Sequence, residues 1–85
     1  MDRQEIEKKV KEIFSKKINV SKEKITLNSH LVNDLGLDSF SAIEIMFELE
    51  ENFGINIPEK DFTDVKTLLD VVNYLTMRLA GDDRG

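Results

Sequence analysis

The sequence lacks most of the residues that build catalytic and metal sites. Its 85 residues include no Cys, no Trp and a single His, His30. This excludes disulfides, thiolate or two-histidine metal sites and a cysteine nucleophile, and we expect no bound metal. The N-terminus is charged, and no apolar run approaches the about 18 residues of a membrane span. We therefore expect a cytoplasmic protein without a membrane span.

Charge is distributed unevenly along the chain, although the net charge is only -5. Residues 1–24 hold eight basic and five acidic residues, whereas residues 25–59 hold seven acidic residues and no Lys or Arg. Such an anionic segment attracts basic partners and repels phosphate backbones, so we expect no binding to nucleic acid. A solvated helix face is the plainer interpretation of the same run, and both interpretations stay open at this point.

Apolar periodicity predicts an all-α fold, a four-helix bundle of three longer helices and one short helix, with a long first loop. The length allows one domain, at residues 1–80. Pro58 favours the start of the short helix, and Thr67 with Asp70 forms a capping-box pattern before the last one. The predicted segments are helices at 2–17, 39–52, 59–63 and 67–80, a loop at 18–37 and a flexible tail at 81–85.

The second predicted helix carries two apolar stripes where a small bundle needs one. We expect the first to face the core, and it comprises Ala42, Ile45, Met46, Leu49 and Phe53. The second comprises Phe40, Ile43 and Phe47. The loop is expected to bury Ile43, whereas Phe40 and Phe47 are candidates for either the core or a partner surface. Tyr74 and Met77 are expected in the core.

Acidic residues flank the second stripe, namely Glu44, Glu48, Glu50 and Glu51. Three of them lie near the end of the helix, where each opposes the helix dipole by about 0.3–1 kcal/mol. Local helix stability therefore does not account for these acidic residues. Residues that oppose local helix stability are expected at functional sites.

The helix begins at the run Gly36-Leu37-Asp38-Ser39-Phe40. One interpretation makes Asp38 or Ser39 an ordinary N-cap residue. Another makes the Ser39 hydroxyl a site for an attached phosphate, because the N-terminus of a helix favours negative charge.

The run from Leu31 to Phe40, followed by Ile43-Glu44-Ile45, Leu49-Glu50-Glu51, Phe53-Gly54 and Ile57-Pro58, resembles the acyl carrier proteins over nearly the whole chain. The resemblance implies a monomeric carrier that is not an enzyme. It implies that a phosphopantetheinyl transferase attaches phosphopantetheine from coenzyme A to Ser39, next to Asp38. The thiol of the arm would then hold acyl groups as thioesters for fatty acid, polyketide or related biosynthesis.

The resemblance also implies a partner surface on the second helix. Basic patches of the transferase and of acyl-loading and acyl-processing enzymes would dock there, against Phe40, Glu44, Phe47, Glu48, Glu50, Glu51 and the nearby Ile57. Phe40 stands where the family usually has Leu, and Ser41 where it usually has an acid, which indicates a specialised member. An aminoacyl carrier therefore stays open as an alternative, and so does an acidic helical adaptor without a prosthetic group.

Overall fold

A computed structural model describes residues 2–83, and the side chains of residues 2–80. Four helices follow one another along the chain, α1 (Arg3–Ile18), α2 (Ser39–Phe53), α3 (Glu59–Thr63) and α4 (Leu68–Asp83). The described part of the chain contains no strand, only an isolated bridge between His30 and Thr67. The predicted fold of three longer helices and one short helix is confirmed.

The ends of α1 and α2 follow from their capping residues. Asp2 and Glu5 form a capping box, in which each side chain accepts the backbone N–H of the other residue, at 2.9 and 3.2 Å. Asp38 caps the start of α2, and Gly54 ends the helix in the left-handed conformation at φ 65°. These bounds agree with the predicted ones to within one residue.

The core lies between α1, α2 and α4, because α1 packs against both of the other long helices. The predicted core stripe of α2 is confirmed, since Ile45, Met46, Leu49 and Phe53 are buried and Ala42 is half-buried. The side chains that α1 contributes are Ile6, Val10, Ile13 and Phe14.

The first loop is held to the start of α4 by backbone hydrogen bonds. The N–H groups of Leu68 and Leu69 donate to the carbonyls of Ser29 and Leu27, at 3.1 and 2.9 Å. The first N–H groups of a helix have no partner within the helix, so the loop supplies partners that α4 needs. Ile25 and Leu31 of the loop are buried, and the loop forms one 3-10 turn, Lys22–Lys24.

The structure corrects three predictions. Met77, expected in the core, is 63% exposed, because it lies on the face of α4 opposite Leu68 and Val72. Ile43, expected under the loop, is 42% exposed, since it lies about 100° around α2 from the centre of the core stripe. Helix α4 ends at Asp83 instead of residue 80, because a helical Gly81 costs only about 1 kcal/mol. Residues 84 and 85 of the predicted tail lie outside the described residues.

Candidate functional site

Ser39 is the first residue of α2 and is exposed. The Asp38 carboxylate before it accepts the Ser41 N–H at 2.8 Å. This hydrogen bond to the Ser41 backbone holds the pKa of Asp38 below its usual 3.8. Asp38 is therefore a charged cap residue at neutral pH that fixes the start of the helix. Within residues 2–83 the Ser39 hydroxyl makes no hydrogen bond, which leaves it accessible to another molecule.

The turn before Ser39 depends on a left-handed glycine. Gly36 has φ 70°, and its N–H donates to the Val32 carbonyl at 3.0 Å. A side chain at this φ costs about 1–2 kcal/mol, so glycine is favoured there. The neighbours Leu35 and Leu37 are both buried. The turn thus anchors the chain in the core on both sides of Gly36 and presents Ser39 at the surface.

An apolar groove of about 140 Å³ runs from Ser39 between α2 and α3. The residues that line it are Ser39, Ala42, Ile43, Met46, Glu59, Phe62 and Thr63. A second groove, of about 390 Å³, lies beside the first loop and shares Ala42, Phe62 and Thr63 with the first. An arm attached to Ser39 would therefore have apolar surface beside its point of attachment.

The second stripe of α2 lies in solvent. Phe40 is 71% exposed and Phe47 is 58% exposed. Together with Ile43 they occupy positions i, i+3 and i+7, so they form one continuous apolar face. This arrangement leaves two aromatic side chains unpacked on α2, Phe40 directly after Ser39 and Phe47 two turns further along, which is unusual for a small domain.

The four glutamates of α2 have different surroundings. The Glu50 carboxylate accepts the backbone N–H of Ile57 at 2.7 Å, and Ile57 is only 4% exposed. Glu48 lies 3.9 Å from the Lys17 ammonium. Within the described residues Glu44 and Glu51 form no ion pair. Two residues expected on the partner surface have contacts within the fold. Ile57 is buried in the core, and the Glu50 carboxylate is hydrogen-bonded to the backbone N–H of Ile57.

Sequence reasoning missed the contribution of α3 to the groove and the hydrogen bond that joins α3 to α4. Phe62 and Thr63 form its wall, and the Tyr74 hydroxyl of α4 donates to the Asp61 carboxylate of α3 at 2.7 Å. A single signal was available in the sequence, because a half-buried tyrosine usually finds a partner for its hydroxyl. The sequence does not show which acid that partner is.

Among residues 2–83 no group of His, Cys, Asp and Glu side chains could hold a metal ion. In the same part of the chain, no helix combines the length and apolar character that a bilayer span requires.

Comparison with known proteins agrees with this geometry. The family model "Phosphopantetheine attachment site" matches residues 8–75. An acyl carrier protein of Amoebophilus asiaticus (strain 5a2) is 45% identical over 76 residues, which cover 89% of this chain and 95% of the relative. An acyl carrier protein of Rickettsia bellii (strain RML369-C) is 40% identical over 70 residues, covering 82% and 81%. The chain belongs to the acyl carrier protein family.

Membership defines the general role of the chain. Acyl carrier proteins are carriers and not enzymes, and they work with phosphopantetheinyl transferases and acyl enzymes. Their prosthetic group is a covalently attached phosphopantetheine. The exposed, unbonded hydroxyl of Ser39 and the adjacent apolar groove fit such a group.

Proposed function

We propose that Ser39 carries the phosphopantetheine and that the chain transports acyl groups as thioesters for fatty acid, polyketide or related biosynthesis. The observation that supports this proposal is the exposed Ser39 hydroxyl at the start of α2, at the end of an apolar groove. The bound group supplies the thiol that this cysteine-free chain lacks. An apolar groove suits a hydrocarbon cargo better than an aminoacyl one.

The N-terminus of α2 favours an attached phosphate, and the turn before it positions the Ser39 hydroxyl. The 15-residue helix α2 directs the positive end of its dipole towards Ser39. Gly36 and Asp38 fix the turn, so the hydroxyl oxygen is held at the surface. In the attachment step the Ser39 oxygen bonds to the pantetheine-side phosphorus of the coenzyme A pyrophosphate. The P–O bond from that phosphorus to the nucleotide-side phosphate breaks, adenosine bisphosphate leaves, and the hydroxyl proton passes to a base supplied by the transferase. A transferase carries out this step, and the carrier contributes the positioned oxygen.

The exposed face of α2 is the proposed surface for the transferase and the acyl enzymes. Phe40 and Phe47 offer apolar contacts, and Glu44, Glu48 and Glu51 offer negative charge towards basic patches. Charges of this kind mainly raise the rate of association, whereas aromatic anchors that become buried mainly slow dissociation. We leave Glu50 and Ile57 out of this surface because they contact each other within the fold.

The attachment site is tested by mass. Wild-type protein incubated with coenzyme A and a broad-specificity phosphopantetheinyl transferase should gain the mass of one phosphopantetheine. Ser39→Ala should gain nothing while keeping its helical circular dichroism, because Ser39 is exposed. Ser41→Ala is the matched control, since it removes a hydroxyl two residues further along the same helix and should load normally.

Three results would contradict the proposal or part of it. Loading of Ser39→Ala would place the prosthetic group elsewhere. A wild-type chain that is never loaded would favour an acidic adaptor that uses the exposed face of α2 without a prosthetic group. A loaded chain whose natural cargo is an amino acid would support an aminoacyl carrier instead.

A further inference from the structure

Helix α3 is weakly anchored compared with the other helices. None of its five residues, all within the described range, is fully buried. Pro58 at its N-cap makes no side-chain capping bond. Phe62 is half-buried and packs against the core cluster. A helix this short has little stability of its own, so its position depends on contacts with its neighbours.

One side-chain hydrogen bond joins α3 to α4 in the described part of the chain. The Tyr74 hydroxyl donates to the Asp61 Oδ2 at 2.7 Å, and the Arg78 Nη1 donates to the Tyr74 oxygen at 2.6 Å. The Arg78 guanidinium also lies over the Tyr74 ring, 5.6 Å from its centroid. Burial and the Asp61 contact raise the pKa of Tyr74 above 10.0, so the hydroxyl remains a donor at neutral pH. Hydrogen bonds to a carboxylate are stronger than neutral ones.

The groove beside Ser39 is too small for a long acyl chain while α3 keeps this position. Its volume of about 140 Å³ lies below the about 300–1,000 Å³ that is usual for ligand pockets. Phe62 lines both this groove and the larger one of about 390 Å³. A chain that extends from one groove into the other lies against Phe62, which lines both, and Phe62 belongs to the same short helix as Asp61.

We propose that the Tyr74–Asp61 hydrogen bond limits the size of the acyl group that the groove accepts, by holding α3 and its Phe62 against the bundle. Short acyl groups leave this bond intact, whereas long ones enter only when α3 moves and the bond breaks. Tyr74 and Asp61 are then positioning residues that determine cargo size without touching the cargo. The inference rests on the proposed function, because it assumes that acyl groups are attached at Ser39.

The first experiment measures hydrogen exchange of the α3 amides in protein without a prosthetic group. Tyr74→Phe removes the hydroxyl and keeps the ring, so exchange in α3 should accelerate roughly tenfold, as expected for the loss of one charge-assisted hydrogen bond. Thr76→Val is the matched control. It removes a hydroxyl of the same helix that donates only to the Val72 carbonyl, and it should leave exchange in α3 unchanged.

The second experiment compares melting temperatures of protein loaded with two-carbon and ten-carbon acyl groups. Tyr74→Phe should lower the melting temperature of the two-carbon form but leave the ten-carbon form nearly unchanged, because the bond is already broken there. Asp61→Ala should behave like Tyr74→Phe. Asp61→Asn keeps an acceptor oxygen and should behave more like the wild type.

Each outcome supports or overturns the inference. Unchanged exchange in Tyr74→Phe shows that the bond does not hold α3, and equal losses in both acylated forms show that long cargo leaves the bond intact. Either result overturns the inference without affecting the role of Ser39. If wild-type protein takes up no phosphopantetheine, the proposed function fails, and the limit on cargo size fails with it.

Discussion

At the scale of single residues, similar side chains in this chain serve different ends. Glu50 and Glu51 are neighbours on α2, yet the Glu50 carboxylate accepts the Ile57 N–H, whereas Glu51 is exposed. The contact of Glu50 fixes the segment between α2 and α3, which carries buried Ile57. Its charge near the end of α2 opposes the helix dipole, and the hydrogen bond to the backbone offsets that cost. Glu50 therefore has a structural contact that Glu51 lacks.

Asp70 gives a prediction about acid stability. Its Oδ2 accepts the N–H groups of Lys66 and Thr67, at 3.0 and 3.1 Å, and these bonds, that of Lys66 first, lower its pKa below 3.8. A carboxyl with a lowered pKa in the folded state stabilises the fold above its unfolded pKa, and this contribution is lost as the pH falls through the folded pKa. Asp70→Asn should lower the free energy of unfolding at pH 7 by about 0.5–2 kcal/mol. Below about pH 4 the variant should lose less stability than the wild type, because the charge that acid removes is already absent.

The measurement is urea unfolding of both proteins from pH 7 to pH 2. Asp64→Asn is the control, because Asp64 is exposed and its carboxylate accepts no hydrogen bond from the described residues. Asp70→Asn and wild type should therefore converge in acid, whereas Asp64→Asn should follow the wild type throughout. A constant difference between Asp70→Asn and wild type at every pH would show that the cap does not depend on the charge of Asp70.

At the scale of the helix, α2 combines a core face with an apolar face in solvent. The core face of Ile45, Met46 and Leu49 holds the helix in the bundle. The exposed face of Phe40, Ile43 and Phe47 makes no comparable contribution to folding, so its removal should affect binding more than stability. This separation allows the proposed partner surface to be tested without unfolding the protein.

The prediction for α2 concerns capture by the phosphopantetheinyl transferase. Glu44→Lys should slow association at low salt and weaken its dependence on salt, because it removes electrostatic attraction. Phe47→Ala should weaken binding at every ionic strength, while it costs the fold less than about 1 kcal/mol. Stopped-flow association at several salt concentrations and thermal melting measure both effects.

Two control variants make these results specific. Glu23→Lys makes the same charge change on the exposed 3-10 turn of the first loop and should alter capture much less. Phe53→Ala removes a buried ring and should cost about 3–5 kcal/mol of stability. If Phe47→Ala destabilises the protein as much as Phe53→Ala does, Phe47 belongs to the core. If the transferase associates with Glu44→Lys as fast as with wild type, the charge of Glu44 plays no part in docking and this face of α2 is an ordinary solvent-exposed face.

The sequence is informative where structure depends on neighbours along the chain. The spacing of apolar residues, with Asp38 and Gly54 as capping candidates for α2, predicts the bounds of α1 and α2 to within one residue. Contacts between distant segments are a different matter. Nothing in the local pattern shows that Glu50 accepts the Ile57 N–H or that Tyr74 donates to Asp61, since such pairs depend on how the helices pack.

The spacing of apolar residues predicts burial well at the centre of the core face and poorly for apolar residues outside it. Leu49 lies in the middle of the core stripe of α2 and is buried, as expected. Ile43 belongs to the second stripe, about 100° around α2 from the centre of the core stripe, and the loop expected to cover it leaves it exposed. Met77 is apolar and lies on the far side of α4, so composition misled the prediction there.

At the scale of the whole molecule, a small core limits total stability and makes it sensitive to cargo. A domain of 85 residues buries a smaller share of its surface than a large one, and its net stability is of the order of 5–15 kcal/mol. A group that binds only the folded state adds directly to that margin. Since the groove starts at Ser39 and is lined by Ala42, Ile43 and Met46, a hydrocarbon attached there should stabilise the folded chain.

We therefore predict that the melting temperature of the loaded protein rises with the length of a saturated acyl group between two and ten carbons. Each buried methylene contributes up to about 0.8 kcal/mol, and 1 kcal/mol raises the melting temperature of a domain of this size by about 4–8 °C. The melting temperature should begin to rise only at the chain length at which the acyl group, held at the end of the pantetheine arm, reaches into the groove.

The control for this series is Ser39→Ala mixed with free acyl-pantetheine of the same lengths. It should melt at one temperature throughout, because a free thioester at micromolar concentration lacks the high effective concentration of an attached one. A flat series for the loaded wild type would mean that the cargo stays in solvent. A small or polar group, such as an aminoacyl group, would then be the better assignment, and the groove beside Ser39 would serve the arm alone.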